Sequence, residues 1–224
     1  MNFARRSPFA IIRTLAVLVL VSLITGWVAK EALTTIEVDL STLQARRDVR
    51  AWMADEPGTE SPAWEAARKS LVAAVHLAPD SAWLYDYLGA LYMARGLASW
   101  RVVEKRRQWL EQAVIYQETA VRLLPENALG WAELAVSRRL LQQSARLVVE
   151  DWNQALTQGP YELDVQSRLV SLALSNWPEA TTKMKAWVLE RYRSASLADR
   201  AELKEAAANF DVDLDDKDRR TPHR

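Results

Sequence analysis

The sequence predicts an all-α protein in which one apolar N-terminal helix precedes a series of shorter helices. Turn-forming residues are scarce, with 6 Gly and 8 Pro in 224 residues, and the runs between them are rich in the helix-favouring residues Ala, Leu, Arg and Glu. From residue 62 to residue 210 apolar residues recur every three or four positions, which is the period of an amphipathic helix. This length suits one medium-sized domain.

The composition excludes several kinds of site. Lys and Arg together number 29, as do Asp and Glu, so no net charge favours nucleic acid as a partner. Cysteine is absent, which excludes disulfides, thiolate nucleophiles and Cys-ligated metals. The two histidines, His76 and His223, complete no zinc or triad motif, and there is no Gly-rich phosphate loop. We therefore predict no catalytic residue, no cofactor and no metal.

Residues 1–30 are predicted to form a cytoplasmic N-terminus and a transmembrane anchor. Residues 14–29 are an uncharged apolar run, and residues 8–29 give a lipid-contacting span whose one charge can reach the headgroups. The arginines on the N-terminal side are Arg5, Arg6 and Arg13. The positive-inside rule then puts the rest of the chain outside the cytoplasm.

A cleaved signal peptide is the alternative to an anchor. Cleavage after Ala29 would put Trp27 where a small residue is needed, and cleavage after Ala32 would put Lys30 there. We therefore favour a single-pass protein of a bacterial inner membrane whose C-terminal domain is periplasmic.

Three further segments follow the anchor. Residues 31–61 are predicted as a membrane-proximal helix and linker, in which the helix either continues the membrane helix or restarts at Ser41, and residues 56–61 are a break. Residues 62–210 form the helical domain, and residues 211–224 are predicted to be a disordered charged tail. The helical period of the membrane-proximal segment is carried by Leu33, Ile36, Leu40, Leu43, Val49 and Trp52.

The helical domain contains a repeated pattern. Three helix ends share one spacing: Ala67, Leu71, Ala74 and Pro79; Ala113, Gln117, Ala120 and Pro125; Val148, Trp152, Ala155 and Pro160. Two helix starts share another: Tyr85, Leu88, Gly89 and Tyr92; Trp131, Leu134 and Ala135. These spacings resemble the tetratricopeptide repeat, W-x2-L-G-x2-Y followed by A-x3-F and P. The resemblance implies an α-solenoid of helical hairpins, with Gly89 and Ala135 small because two helices approach closely there.

The match to the repeat is incomplete. The first helix end has no readable helix before it, and residues 97–108 are an insertion that must either lengthen a helix or form a loop. Gln117 and Arg138 replace large apolar residues, and after Pro160 only residues 163–175 resemble a first helix. An ordinary helical bundle with accidental repeat spacing is the alternative.

The resemblance also implies a concave groove lined by the first helix of each hairpin. The residues expected in this partner groove are Trp83, Asp86, Ala90, Met93, Leu129, Ala132, Val136 and Arg139. Such a surface is mostly apolar, with Asp86 and Arg139 at its margins, and suits a partner helix or an extended apolar peptide. It lacks the Lys and Asn residues with which related proteins clamp a C-terminal carboxylate, which disfavours an adaptor for chaperone tails.

Aromatic and basic residues suggest two other kinds of contact. Trp64, Trp83, Trp131 and Trp152 fall at core positions of the repeat, but exposed aromatics could also stack on sugar rings. Residues 105–107, Lys-Arg-Arg, lie between Trp100 and Trp109 and could bind a polyanion, although such a run is more often the solvated face of a helix.

The layout, the length and the 10 Trp residues also resemble the Vps-type accessory family of bacterial exopolysaccharide loci. That resemblance implies a non-enzymatic, membrane-anchored scaffold that binds proteins of an inner-membrane complex and assists in making or exporting a surface polysaccharide. One alternative is an envelope assembly factor for a secretion or pilus machine. Another is a small lytic or hydrolytic enzyme, which would need a polar catalytic cleft that the sequence does not indicate.

Overall fold

The computed structural model describes residues 8–54 and 62–215. Every regular element in those residues is a helix, which confirms the all-α prediction. The helices are α1 (Pro8–Ala54), α2 (Pro62–Leu77), α3 (Ala82–Ala98), α4 (Val103–Leu123), α5 (Ala128–Leu140), α6 (Ala145–Gln158), α7 (Leu163–Leu174), α8 (Thr182–Ser194) and α9 (Leu197–Ala208). The predicted break at residues 56–61 and the arginines Arg5 and Arg6 lie outside the described residues.

Helix α1 continues from the apolar segment into the folded domain without interruption. Its portion from Val17 to Ala54 is long and apolar enough to cross a membrane, and none of its most apolar window is buried. A restart at Ser41 is excluded, because α1 is helical on both sides of that residue and the Ser41 hydroxyl donates to the carbonyl oxygen of Val38 (3.1 Å) within the helix. One N-terminal helix therefore serves both as a candidate membrane span and as part of the domain.

Consecutive helices pack in pairs. Gly89 of α3 faces Gln117 of α4, whereas Gly96, later in α3, faces Leu110, earlier in α4, so the two helices are antiparallel. Helices α5 and α6, and α1 and α2, also pack closely. Helix α2, which has no readable partner in the sequence pattern, therefore packs against α1, where the Ser70 hydroxyl donates to the carbonyl oxygen of Ser41 (2.6 Å).

The odd-numbered helices from α1 to α7 contact one another side by side. Arg46 and Arg50 of α1 lie over Trp83 and Tyr87 of α3, so these two helices advance in the same direction. Arg168 forms an ion pair with Glu133, and Asn176, just after α7, accepts a hydrogen bond from Arg139, so α5 and α7 also advance in the same direction. One row of parallel helices thus extends from the end of the candidate membrane helix across the domain.

Two large apolar clusters form most of the core of the described residues, and a smaller third one consists of Val114, Val121 and Leu134. The first joins α1 to α4 around Leu71, Leu84 and Leu88, and the second joins α5 to α9 around Trp152. Val136 of α5 packs against both clusters, so the core is continuous through the middle of the row.

The inserted residues 97–108 lengthen helices rather than forming a long loop. Helix α3 continues through Gly96 to Ala98, and α4 begins at Val103. Gly96 is therefore not a break; a Cβ on it would lie 2.8 Å from Leu110 Cγ, so glycine permits the close contact between α3 and α4.

The prediction of a disordered tail from Asp211 onward places the start of the tail too early. Leu214 is buried in the second cluster and Val212 packs against it. The Tyr192 hydroxyl donates to Asp215 Oδ1 (2.6 Å). Residues 211–215 therefore belong to the domain, because two apolar side chains within the charged run reach its core; residues 216–224 lie outside the described part of the chain.

Candidate functional site: the central groove

A groove opens along the row of odd-numbered helices, and we name it the central groove. Its volume is about 390 Å³. Helices α1, α3, α5 and α7 supply most of its lining, which consists of Val49, Arg50, Met53, Trp83, Asp86, Tyr87, Ala90, Gln117, Asn127, Leu129, Gly130, Glu133 and Arg168. Four of the eight residues predicted for a partner groove lie here: Trp83, Asp86, Ala90 and Leu129.

The other four predicted residues lie elsewhere. Met93 and Ala132 are buried, so their placement on a groove surface is wrong. The Ser137 hydroxyl of α5 lies 3.3 Å from the Met93 sulfur, so α5 covers α3 at this level. Val136 is half-buried between the two core clusters. Arg139 donates to Asn176 and lines a separate pocket beside α6 and α8.

The floor of the central groove contains two carboxyl groups. Asp86 accepts a hydrogen bond from Asn127 Nδ2 (2.7 Å) and forms no ion pair among the described residues. Burial raises the pKa of Asp86 to about 6, and the nearby negative charge of Glu133 adds to the effect. Glu133 forms an ion pair with Arg168 (3.3 Å), yet burial still raises its pKa above the usual range. Within the described part of the chain, Asp86 is therefore a partly buried acid without a cationic partner.

Aromatic rings and arginines form the wall on the α1 side. Trp83 and Tyr87 meet edge to face with their centroids 6.0 Å apart. Arg46 lies 5.1 Å over the Trp83 ring, and Arg50 Nη2 donates to the Tyr87 hydroxyl (2.6 Å). The side chains of α1 thus hold both rings in position, and the candidate membrane helix is part of the site.

The start of α5 positions the acidic floor. Asn127 caps this helix by accepting a hydrogen bond from the backbone N–H of Gly130 (3.1 Å), while its amide donates to Asp86. A Cβ on Gly130 would lie 3.3 Å from Asp86 Oδ1 and 2.9 Å from Asn127 Nδ2, so glycine leaves room for this contact. Asn127 thus caps α5 after the turn at Pro125 and also orients the Asp86 carboxyl of α3.

Several lining residues were not predicted from the sequence, notably Arg50, Tyr87, Asn127, Glu133 and Arg168. A local signal existed for two of them, because Asn127 follows Pro125 as a helix cap and Glu133 lies four residues, about one turn, after the predicted groove residue Leu129. No such signal marks Arg50 or Arg168, whose helices meet α3 and α5 only through the tertiary fold.

The remaining predicted contact residues are mostly engaged within the domain. Trp64 and Trp152 are buried, and Trp83 and Trp131 are half-buried. Trp109 packs against Trp64, whereas Trp100 is exposed. Arg107 pairs with Glu104 (2.8 Å) on an exposed face of α4, in line with the solvated-face interpretation of residues 105–107. The described residues contain no group of three or more His, Asp or Glu side chains that could hold a metal ion.

Comparison with known proteins adds no relative. No family model, curated protein or solved structure matches this chain. The resemblances to tetratricopeptide and polysaccharide-accessory proteins therefore stay predictions.

Proposed function

We propose that this chain is a non-enzymatic, membrane-anchored, tetratricopeptide-like scaffold that faces the periplasm and binds a segment of a partner protein in the central groove. The observation that carries this proposal is the double role of α1, which is apolar enough to cross a membrane and also supplies Val49, Arg50 and Met53 to the groove. At 1.5 Å per residue, Val49 lies about 30 Å along the helix from the end of the apolar run. A partner in the groove would therefore be held close to the bilayer.

The lining of the groove indicates the chemistry of the segment it would bind. Trp83, Met53 and Leu129 offer apolar surface, and Asp86 offers a carboxyl that forms no ion pair among the described residues. A partner helix or extended peptide with apolar residues and one Lys or Arg would fill both requirements. Because the anchor confines both proteins to one membrane, modest affinity suffices.

The biological setting that we propose is a complex that makes or exports a surface polysaccharide in the bacterial inner membrane. Its support is the resemblance in layout, length and tryptophan content. An assembly factor for a secretion or pilus machine is the second candidate, since it would use the same groove on protein clients. Exposed aromatics such as Trp100 and Tyr161 would be the places for a glycan contact.

Site-specific crosslinking tests the groove. A photoreactive amino acid at Leu129 should capture a partner in intact cells, whereas one at the exposed Trp100 should not. Trp83→Ala together with Asp86→Lys should abolish capture from Leu129 and complementation, and Trp100→Ala should retain both. Full activity in a folded Trp83/Asp86 double variant would contradict the proposal. The captured protein, a polysaccharide enzyme or a secretion component, decides between the two settings.

A fusion experiment tests the orientation. Alkaline phosphatase fused to the C-terminus should be active, and GFP in the same place, exported by Sec, should be dark, because the arginines precede the apolar run. The reverse pattern would place the groove in the cytoplasm and remove the periplasmic scaffold.

A further inference from the structure

Helix α1 has two apolar faces beyond the membrane segment. One face packs against α2 and α3 and consists of Val38, Thr42, Ala45 and Val49, which are at most 3% exposed. The opposite face consists of Leu33, Ile36, Leu40 and Leu43, which are 67%, 54%, 69% and 41% exposed. The period that marks this segment as helical in the sequence therefore belongs mainly to exposed side chains and not to the face that packs against α2 and α3.

The exposed face continues into the membrane segment with the same spacing. Ser22, Gly26 and Ala29 precede Leu33 in alternating steps of four, three and four residues, and all three are exposed. A Cβ on Gly26 would meet no atom within 4 Å. We name the seven residues the α1 stripe: Ser22, Gly26, Ala29, Leu33, Ile36, Leu40 and Leu43.

At the end of the apolar run, the stripe residues change from small to large. Ser22, Gly26 and Ala29 are small, which is what helices inside a bilayer need in order to approach each other closely. Leu33, Ile36, Leu40 and Leu43 are large, which is what helices in water need, because there association depends on removing apolar surface from solvent. Each half of the stripe thus suits helix pairing in its own surroundings.

We propose that two copies of this chain pair along the α1 stripe as parallel helices. Alternating steps of three and four keep a stripe facing a second helix that runs alongside. The anchor gives every copy the same direction and height, so each stripe residue of one copy meets the same residue of the other. A second copy satisfies the spacing and the change in size together.

The charges beside the stripe are compatible with this pairing. In a parallel pair, Asp39 of one helix faces Gln44 of the other, so no like charges oppose each other there. Arg47 occupies the next stripe position and would face Arg47 of the other copy. Because these two residues carry the same charge, the contact ends after Leu43. Arg46 stays with its own chain, where it pairs with Asp39 (3.4 Å) and covers Trp83.

The contact needs the anchor. Four large side chains per copy bury less than the about 800 Å² per partner of a standard stable interface. Confinement to the bilayer raises the effective concentration of the two copies, and the small-residue half adds contact within the membrane. The proposal therefore concerns the anchored chain.

Disulfide crosslinking tests the pairing directly, because the natural chain has no cysteine. The full chain with Leu40→Cys is reconstituted in lipid vesicles that contain no other protein and is mildly oxidised. A dimer band should dominate. Thr35→Cys, which is exposed on another side of α1, is the matched control and should give several-fold less dimer at the same density. Adding Gly26→Leu to Leu40→Cys should lower the yield several-fold without loss of helicity.

Three results would contradict the proposal. Equal yields from Leu40→Cys and Thr35→Cys would indicate random collision. Failure of Leu40→Cys to crosslink in pure vesicles, with a heavier adduct in native membranes, would show that another membrane protein covers the stripe. Crosslinking that survives Gly26→Leu unchanged would confine the contact to the part outside the membrane and contradict a continuous stripe.

Discussion

The carboxyl of Asp86 makes the central groove sensitive to pH. Its pKa is about 6 in the folded protein, against about 3.9 for an unfolded chain. Between about pH 4 and about pH 6, Asp86 is mostly protonated in the folded protein and mostly ionised in the unfolded chain. The free energy of unfolding therefore falls as the pH rises through this range. The loss persists at neutral pH, where the carboxylate is ionised but has no cationic partner among the described residues.

Asp86→Asn should therefore increase the free energy of unfolding at neutral pH by about 1–2 kcal/mol, because the amide keeps the Asn127 contact and carries no charge. Near pH 4 the substitution should have little effect. Urea unfolding at both pH values measures the difference. Asp80→Asn, at an exposed position before α3, is the control. A variant as stable as the natural chain at both pH values would show that burial does not penalise Asp86.

Two departures from the repeat pattern have a structural reason. Gln117 is buried with its aliphatic stem against Gly89, so a bulkier side chain would not fit there. Arg138 donates to both oxygens of Asp151 (2.8 and 2.7 Å) and pairs with Glu118, which ties α4, α5 and α6 together. Arg138 therefore stands where the pattern expects an apolar residue because its acidic partners are also present, whereas the buried Gln117 Oε1 has no hydrogen-bond partner among the described residues.

At the scale of the helix, the contact between α3 and α4 depends on small residues, of which Gly89 is one. A Cβ on Gly89 would lie 2.6 Å from Gln117 Cγ and 3.5 Å from the carbonyl oxygen of Ala113, which confirms the close approach predicted from the repeat pattern. The next residue, Ala90, faces the central groove instead.

Gly89→Leu should lower the free energy of unfolding by about 1–3 kcal/mol, because the larger side chain must displace α4. Thermal unfolding followed by circular dichroism measures the change. Ala90→Leu adds a similar side chain to the same helix and should change stability by less than about 0.5 kcal/mol, since position 90 lines the central groove rather than the α3–α4 contact. Equal melting temperatures for the two variants would mean that the α3–α4 contact accommodates the larger side chain without loss of stability.

In helix α1 the sequence predicts the helix but not which of its faces packs on the domain. The period of its leucines predicts a helix, and the helix is present. The face that packs on the domain, however, carries Val38, Thr42, Ala45 and Val49, and of these only Val49 was part of the predicted period.

For the whole molecule, the folded unit begins in α1 and not at Pro62. The aliphatic residues Val38 and Val49 are buried in the cluster that also contains Leu71 and Leu84. One face of residues 31–54 is thus part of the core, although the sequence assigns this segment to a membrane-proximal helix and linker.

A soluble chain that begins at Lys30 should be more stable than one that begins at Pro62 by about 3 kcal/mol or more, since each buried Val contributes about 1.5–3 kcal/mol. Urea unfolding of the two proteins tests this. The shorter chain should also bind a hydrophobic dye, because α2 and α3 lose their cover. Equal stability and no dye binding would make α1 a separate anchor.

The sequence by itself determined the features that depend on neighbouring residues. These are the all-α content, the apolar N-terminal helix, the helix ends before Pro79, Pro125 and Pro160, and the need for a small residue at Gly89. Helix propensity, apolar run length and proline breaks act over a few residues, so one sequence is enough to locate them.

Only the tertiary structure decided which faces meet. It placed Met93 and Ala132 in the core, moved Arg139 to another pocket, and brought Glu133 to Arg168. Each of these outcomes depends on the angle and height at which two helices cross, and that geometry is set by the summed packing of many distant side chains. A helical period shows that a residue lies on an apolar face, but only the packed neighbours decide whether that face becomes core, groove or open surface.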